Sequence, residues 1–110
     1  MLTKLEEQIL LSVLKFKGEA YGISVYQHLE NVTNSKVAIG VVYFTLDRLT
    51  KRGLLTSYKG EPTAVRGGMS KKFYKVTKPG VSELEESKKI NDTLWDEFSE
   101  LTTNKIKKTT

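Results

Sequence analysis

The chain has 110 residues, enough for one domain, and a core this small gains from a partner. Eighteen lysines and arginines stand against 13 acids, a formal net charge of +5, and there is no cysteine, which excludes disulfides and thiolate metal sites. No apolar run of about 18 residues exists to cross a membrane, and the N-terminus lacks the basic-then-apolar pattern of a signal peptide, so a soluble, cytoplasmic protein is expected. The charge is unevenly spread. From Arg48 to Lys78 nine cations face a single acid, Glu61. Such a concentration suits nucleic acid, although a basic balance alone does not require it.

Taken in order, Thr3 and Glu6 form a T-x-x-E capping box, which predicts a helix from about Lys4. Leu5, Ile9, Val13 and Phe16 mark one face, Leu10 and Leu14 widen it, and Gly18 ends it. Core packing and a partner contact explain that width equally well. Gly22 opens a second helix, with Ile23, Tyr26 and Leu29 inward, and Asn31 to Asn34 breaks it. His28, the single histidine, reads as a surface side chain and not as a ligand.

The stretch from Val37 to Tyr58 organises the rest. Ile39, Val42, Leu46 and Leu49 are spaced 3, 4 and 3 and form one apolar stripe of a helix. Gly53 follows where a left-handed cap is wanted, and Lys51 and Arg52 suit the helix's negative end. The opposite face carries Gly40, Val41, Phe44, Arg48 and Lys51, small, aromatic and cationic groups without an acid. Asp47 lies on the flank, four residues before Lys51. Ala38 is a weak N-cap. An ordinary amphipathic surface helix remains open at this point. So does the recognition helix of a winged helix-turn-helix, which two short helices and a polar turn before this one would complete.

Beyond Gly53 the period changes to two. Leu54 to Lys59 and Lys72 to Thr77 read as strands, with Tyr74 and Val76 on one side and Phe73 and Lys75 on the other. The twelve residues from Gly60 to Lys71 are too long for a tight hairpin. They form either a solvated loop or a basic arm, with Arg66 beside two glycines, suited to a minor groove. Pro79 then sits at a helix start, with Thr77 or Lys78 as cap. Nothing breaks that helix until about Thr103, a length of about 37 Å. Leu84, Asn91, Leu94, Trp95, Phe98 and Leu101 line one face, with Ile90 at its edge, and the rest is acidic. Packing against the same helix of a second subunit is the favoured reading. Folding back on the first helix is the alternative.

Several stretches together carry a family resemblance: E-x-x-I-L-x-x-V-L (Glu6 to Leu14), A-Y-G-I (Ala20 to Ile23), G-V-V-Y-F-T-L-D-R-L-x-K-x-G-L-L (Gly40 to Leu55), G-E-P-T-x-x-R-G-G (Gly60 to Gly68) and K-K-F-Y-K-V-T-x-x-G (Lys71 to Gly80). In order and spacing they resemble PadR-type transcriptional regulators over about residues 3 to 84. The resemblance implies a mainly α fold with a small β-hairpin: a winged helix-turn-helix domain over 1–78, a dimerisation helix over 79–104 and a polar, frayed tail over 105–110. It implies a homodimeric repressor of a nearby operon that binds double-stranded DNA. On the helix Gly40, Val41, Tyr43, Phe44, Thr45, Arg48 and Lys51 would approach DNA; on the wing Arg66, Gly67, Gly68, Lys71 and Lys72. Dimerisation would fall to Leu84, Leu94, Trp95, Phe98 and Leu101. Some compact members hold a flat aromatic effector near an interface tryptophan, which points to Trp95 and Phe98 as a ligand site. Ala38 departs from the family's usual cap, and Met69 and Ser70 stand where wings often carry further cations. A winged-helix module that binds an acidic protein instead of DNA is the competing reading. One histidine, no glycine-rich phosphate loop after a strand and no carboxylate pair on a defined pocket leave an enzyme, a metal site or a cofactor without support.

Overall fold

The computed structural model describes residues 1–60 and 71–109, with side chains through Thr103. Helix α1 (Lys4–Lys15) is followed by a two-residue strand β1 (Ala20–Tyr21), helices α2 (Gly22–Thr33) and α3 (Ile39–Lys51), strands β2 (Leu55–Lys59) and β3 (Lys72–Val76), and a long helix α4 (Lys78–Thr109). The expected hairpin is present, and β1 adds a third strand to it. The antiparallel order is β1-β3-β2, with Ser57 opposite Tyr74 and Ala20 on Tyr74's other side.

Three of the four helices begin at a local side-chain hydrogen bond. The Thr3 hydroxyl accepts from the Glu6 amide at 3.1 Å, and the Glu6 carboxylate accepts from the Thr3 amide at 2.8 Å, closing the capping box. At α2 the Ser24 hydroxyl accepts from the Tyr21 amide at 3.0 Å. Ala38 caps α3 with no side chain, as expected. Thr77 caps α4: its hydroxyl accepts from the Gly80 amide at 3.1 Å and donates to the Gly53 carbonyl at 2.6 Å. The last contact pins the start of α4 to the turn after α3. Gly53 ends α3 at φ 78°, and Leu54 N–H reaches back to the Leu49 carbonyl at 3.0 Å.

The core sits between the three short helices and the inner face of the sheet. Ile9, Leu10 and Val13 of α1, Val25 and Leu29 of α2, Val42, Leu46 and Leu49 of α3, Leu55 and Tyr74 are all buried there. Two inward assignments change. Ile39 is exposed, because it is the first residue of α3 and its Cβ leans past the helix start, away from the core. In α2 the buried face is Gly22, Val25 and Leu29, spaced 3 and 4, so Ile23 turns outward and Tyr26 is half-buried.

Helix α4 has 32 residues, about 48 Å of helix, in a molecule whose longest dimension is 66 Å. It runs past the expected end near Thr103, since no glycine or proline interrupts residues 104–109. Its first half folds back on α1. Leu84 is buried, the Ser87 hydroxyl donates to Glu7 at 3.2 Å, and the Asn91 amide donates to the same carboxylate at 3.3 Å. The second half projects clear of the domain.

Candidate nucleic-acid interface

Helix α3 divides cleanly into two faces. Val42, Thr45, Leu46 and Leu49 point into the core, and Gly40, Val41, Tyr43, Phe44, Asp47, Arg48 and Lys51 point out. Thr45 therefore lies on the wrong face for a contact. It is 6 % exposed, and its hydroxyl donates to the Val41 carbonyl at 2.7 Å, because it shares the stripe of Val42 and Leu49. Phe44 is the most exposed large apolar group of the helix, at 61 %. An exposed phenyl flanked by Val41 and Tyr43 makes an apolar patch with cations at one end.

The sheet brings the wing's lysines to the same surface. Lys72 Nζ lies 4.0 Å from Asp47 Oδ1, and Lys51 Nζ lies 3.9 Å from Oδ2 of that carboxylate. Asp47 thus ties the helix to β3, beyond the i+4 pairing expected of it. Lys71 is exposed, with Nζ 4.4 Å from the centre of the Tyr21 ring. A cleft of about 400 Å³ lined by Tyr21, Gly22, Tyr43, Phe44, Asp47, Lys72 and Tyr74 joins α2, α3 and β3 into one continuous face. Arg66, Gly67 and Gly68 lie outside the described residues.

Two residues of this surface escape a linear reading. Gly22 gives Tyr43 its place, since a Cβ at position 22 would lie 2.1 Å from the tyrosine ring. Glu6, marked in the sequence as a capping residue and as the head of the E-x-x-I-L-x-x-V-L stretch, reaches the end of α3 across 46 positions. Its Oε2 accepts from Arg52 Nη1 at 2.8 Å and lies 3.6 Å from Arg48 Nη2. Burial pushes the Glu6 pKa up, but the Thr3 amide and the Arg52 guanidinium outweigh it, so the net shift is downward and the carboxylate stays charged. The cationic face of α3 therefore has a second acid at its edge besides Asp47, supplied by α1.

A second surface lies on α4 and α1. Leu94, Trp95, Phe98 and Leu101 are all more than half exposed, and Ile90 extends their row. The Trp95 and Phe98 rings meet edge to face at 5.2 Å. Trp95 also borders a groove of about 560 Å³ whose apolar walls are Leu11 and Leu14 of α1 and Val81 and Leu84 of α4. Leu84 is thus packed in its own chain's core, while the other four residues of the expected dimer face stand free in the monomer. His28 lies edge-on to Phe16 at 5.9 Å, and no group of acids and histidines among the described residues is placed to hold a metal.

Three helices on a small sheet, with the third helix and β3 forming one basic surface, define a winged helix-turn-helix regulator. Residues 10–86 match the model of the transcriptional regulator PadR-like family, and the chain belongs to that family. A PadR-like regulator from Bacillus cereus superposes with a TM-score of 0.73 at 26 % identity, covering 88 % of this chain and 89 % of that one. A PadR-like transcription factor from Bacteroides fragilis is 31 % identical over 91 % of this chain and 87 % of its own, with a TM-score of 0.64. Bacillus subtilis PadR, solved in complex with operator DNA, is 26 % identical over 76 % of this chain and 46 % of its own, with a TM-score of 0.62. A comparison with curated proteins found no match.

Proposed function

We propose that the protein is a homodimeric repressor that binds operator DNA of a nearby operon, with α3 in the major groove and the β2–β3 wing on the flanking backbone. The observation that carries this reading is the outer face of α3. Val41, Tyr43, Phe44, Arg48 and Lys51 are exposed beside Lys71 and Lys72, while the opposite face is locked into the core. A helix held in this way can enter a groove about 12 Å wide without losing its own packing. Exposed Val41 and Phe44 can meet thymine methyl groups, and the lysines can neutralise phosphates. The related PadR bound to operator DNA supports the choice of DNA over an acidic protein as partner. On the wing, Arg66, Gly67 and Gly68 complete the proposal.

Dimerisation through Leu94, Trp95, Phe98 and Leu101 of α4 follows from the same economy: four large apolar groups in a row on a projecting helix need a cover. A two-fold axis would set the two copies of this row against each other and fix the spacing of the two recognition helices. The groove beside Trp95 gives a flat aromatic effector apolar walls at that junction. Footprinting of the region upstream of the protein's own gene tests the reading. Two protected half-sites about one helical turn apart, or a multiple of it, are expected for a two-fold dimer. Absence of any protected sequence, with intact dimeric protein in excess, would overturn it.

A further inference from the structure

We infer that Glu6 is a positioning residue for the recognition helix: by gripping Arg52 closely and Arg48 loosely, it makes the first an anchor and orients the second for base readout. This rests on the DNA-binding reading of α3. Arg48 is in the last turn of α3 and Arg52, four residues on, is its C-cap, so a single carboxylate can reach both. They are not held alike. Arg52 donates to Glu6 Oε2 at 2.8 Å and its side chain is 38 % exposed; Arg48 stands 3.6 Å from the same oxygen and is 55 % exposed. Arg48 also lies near the Phe44 ring, whose centre is 5.8 Å from the guanidinium carbon. The guanidinium thus has both a buried anion and an aromatic ring as neighbours.

Glu6 itself cannot swing away. Its side chain is 4 % exposed, and Oε1 is committed to the Thr3 amide at 2.8 Å, which leaves Oε2 for the arginines. A free arginine on a helix surface samples many rotamers, and each one lost on binding costs affinity. An anion that restricts those rotamers, at a distance too long for a tight bond, leaves the fork free to bond a guanine edge. A purely structural role would need only the Arg52 contact.

The test uses the full-length protein and an operator duplex recovered by selection from a random pool with the unchanged protein. The quantity read is the ratio of operator to scrambled-duplex affinity for Glu6→Gln, Arg48→Ala and the double variant. Gln at this position keeps the capping box, so the helix start is preserved. Each single variant should lower the ratio about tenfold or more, and the double should fall no further than the lower single. Arg52→Ala should lower the melting temperature while keeping the ratio. Arg48→Lys gives a second arm that leaves Glu6 untouched: it keeps the charge but lacks the planar fork, and should also lose operator preference with an unchanged salt slope. A ratio within twofold of the unchanged protein for Glu6→Gln, with Arg48→Ala collapsed, would overturn the role of Glu6 alone. So would a double variant whose loss is the product of the two single losses. A pool that yields no preferred duplex would remove the DNA reading itself, and this inference with it.

Discussion

Gly22 and Tyr43 compete for one space: a Cβ on residue 22 would lie 2.1 Å from Cε1 of the tyrosine and 2.6 Å from its hydroxyl oxygen. The first residue of α2 is glycine so that the ring of Tyr43 can lie across it. Tyr43 sits on the exposed side of α3, so the close approach fixes a side chain of the proposed DNA surface through a residue that would not itself touch DNA. Gly22→Ala should leave the fold intact, because the overlap is with the ring end of Tyr43, which is 42 % exposed and can swing outward. Operator affinity should fall to the level of Tyr43→Ala. Anisotropy titrations of both variants, together with thermal melts, check this. Unchanged affinity for Gly22→Ala would show that the ring position is immaterial.

The α4 face gives a prediction on assembly. Leu94 and Phe98 lie one turn apart and are 56 % and 55 % exposed, so charges placed there cost the isolated chain little. Changing both to Glu is expected to yield folded monomers in analytical ultracentrifugation, with operator affinity reduced because two half-sites are no longer held together. A double variant that remains dimeric would place the contact on another surface.

Trp95 separates an open effector site from a sealed interface. As the single tryptophan it reports on its own environment. If the groove it shares with Leu11 and Leu14 stays open in the dimer, planar aromatic dyes should quench its fluorescence saturably, and Trp95→Ala should abolish dye binding while keeping the dimer. If the partner fills the groove, no saturable quenching will appear, and the substitution should cost about 3–5 kcal/mol as a large-to-small core change.

The Glu6 carboxylate makes a pH prediction. Its pKa is lowered in the folded state, so its contribution to stability is present above the unfolded glutamate value of about 4.3 and is lost as pH falls through the lower folded value. Arg52→Ala removes a charge-assisted hydrogen bond and should cost about 1.5–3 kcal/mol near neutral pH. The gap between the unchanged protein and Arg52→Ala should narrow in denaturant melts as the pH drops below about 4. A gap independent of pH would assign the loss to packing of the arginine stem instead.

The fold was legible in the sequence wherever a local rule governs. Thr3 and Glu6 mark the start of α1, the spacing of Val42, Leu46 and Leu49 marks the buried stripe of α3 although Ile39 at its head is exposed, and Gly53 marks its end. What escaped was set by distant partners. The strand Ala20–Tyr21 exists only because β3, some fifty positions later, pairs with it. The close approach of Gly22 to Tyr43, across to α3, is a contact that no periodicity within α2 reveals. The family resemblance places Thr45 among the DNA contacts, yet spacing alone puts it on the stripe of Val42 and Leu49. Leu84 shares a helix face with Leu94 and Leu101, but the pinning of Thr77 to Gly53 presses the first turns of α4 onto the domain and buries it. The reach of Glu6 to Arg48 and Arg52 has no linear signal: the capping box and the E-x-x-I-L-x-x-V-L stretch mark the acid but not its partners.

The central claim, that α3 reads sequence while the wing lysines supply charge, is tested most directly by anisotropy titration of a promoter duplex and a scrambled duplex between about 50 and 200 mM salt. Binding to the promoter duplex should be at least about a thousandfold tighter at physiological salt. Phe44→Ala and Arg48→Ala should erode that preference, whereas Lys71→Ala and Lys72→Ala should weaken both duplexes alike and reduce the salt slope by about one each. Equal affinity for the two duplexes at every salt concentration, from protein shown to be folded and dimeric, would contradict it.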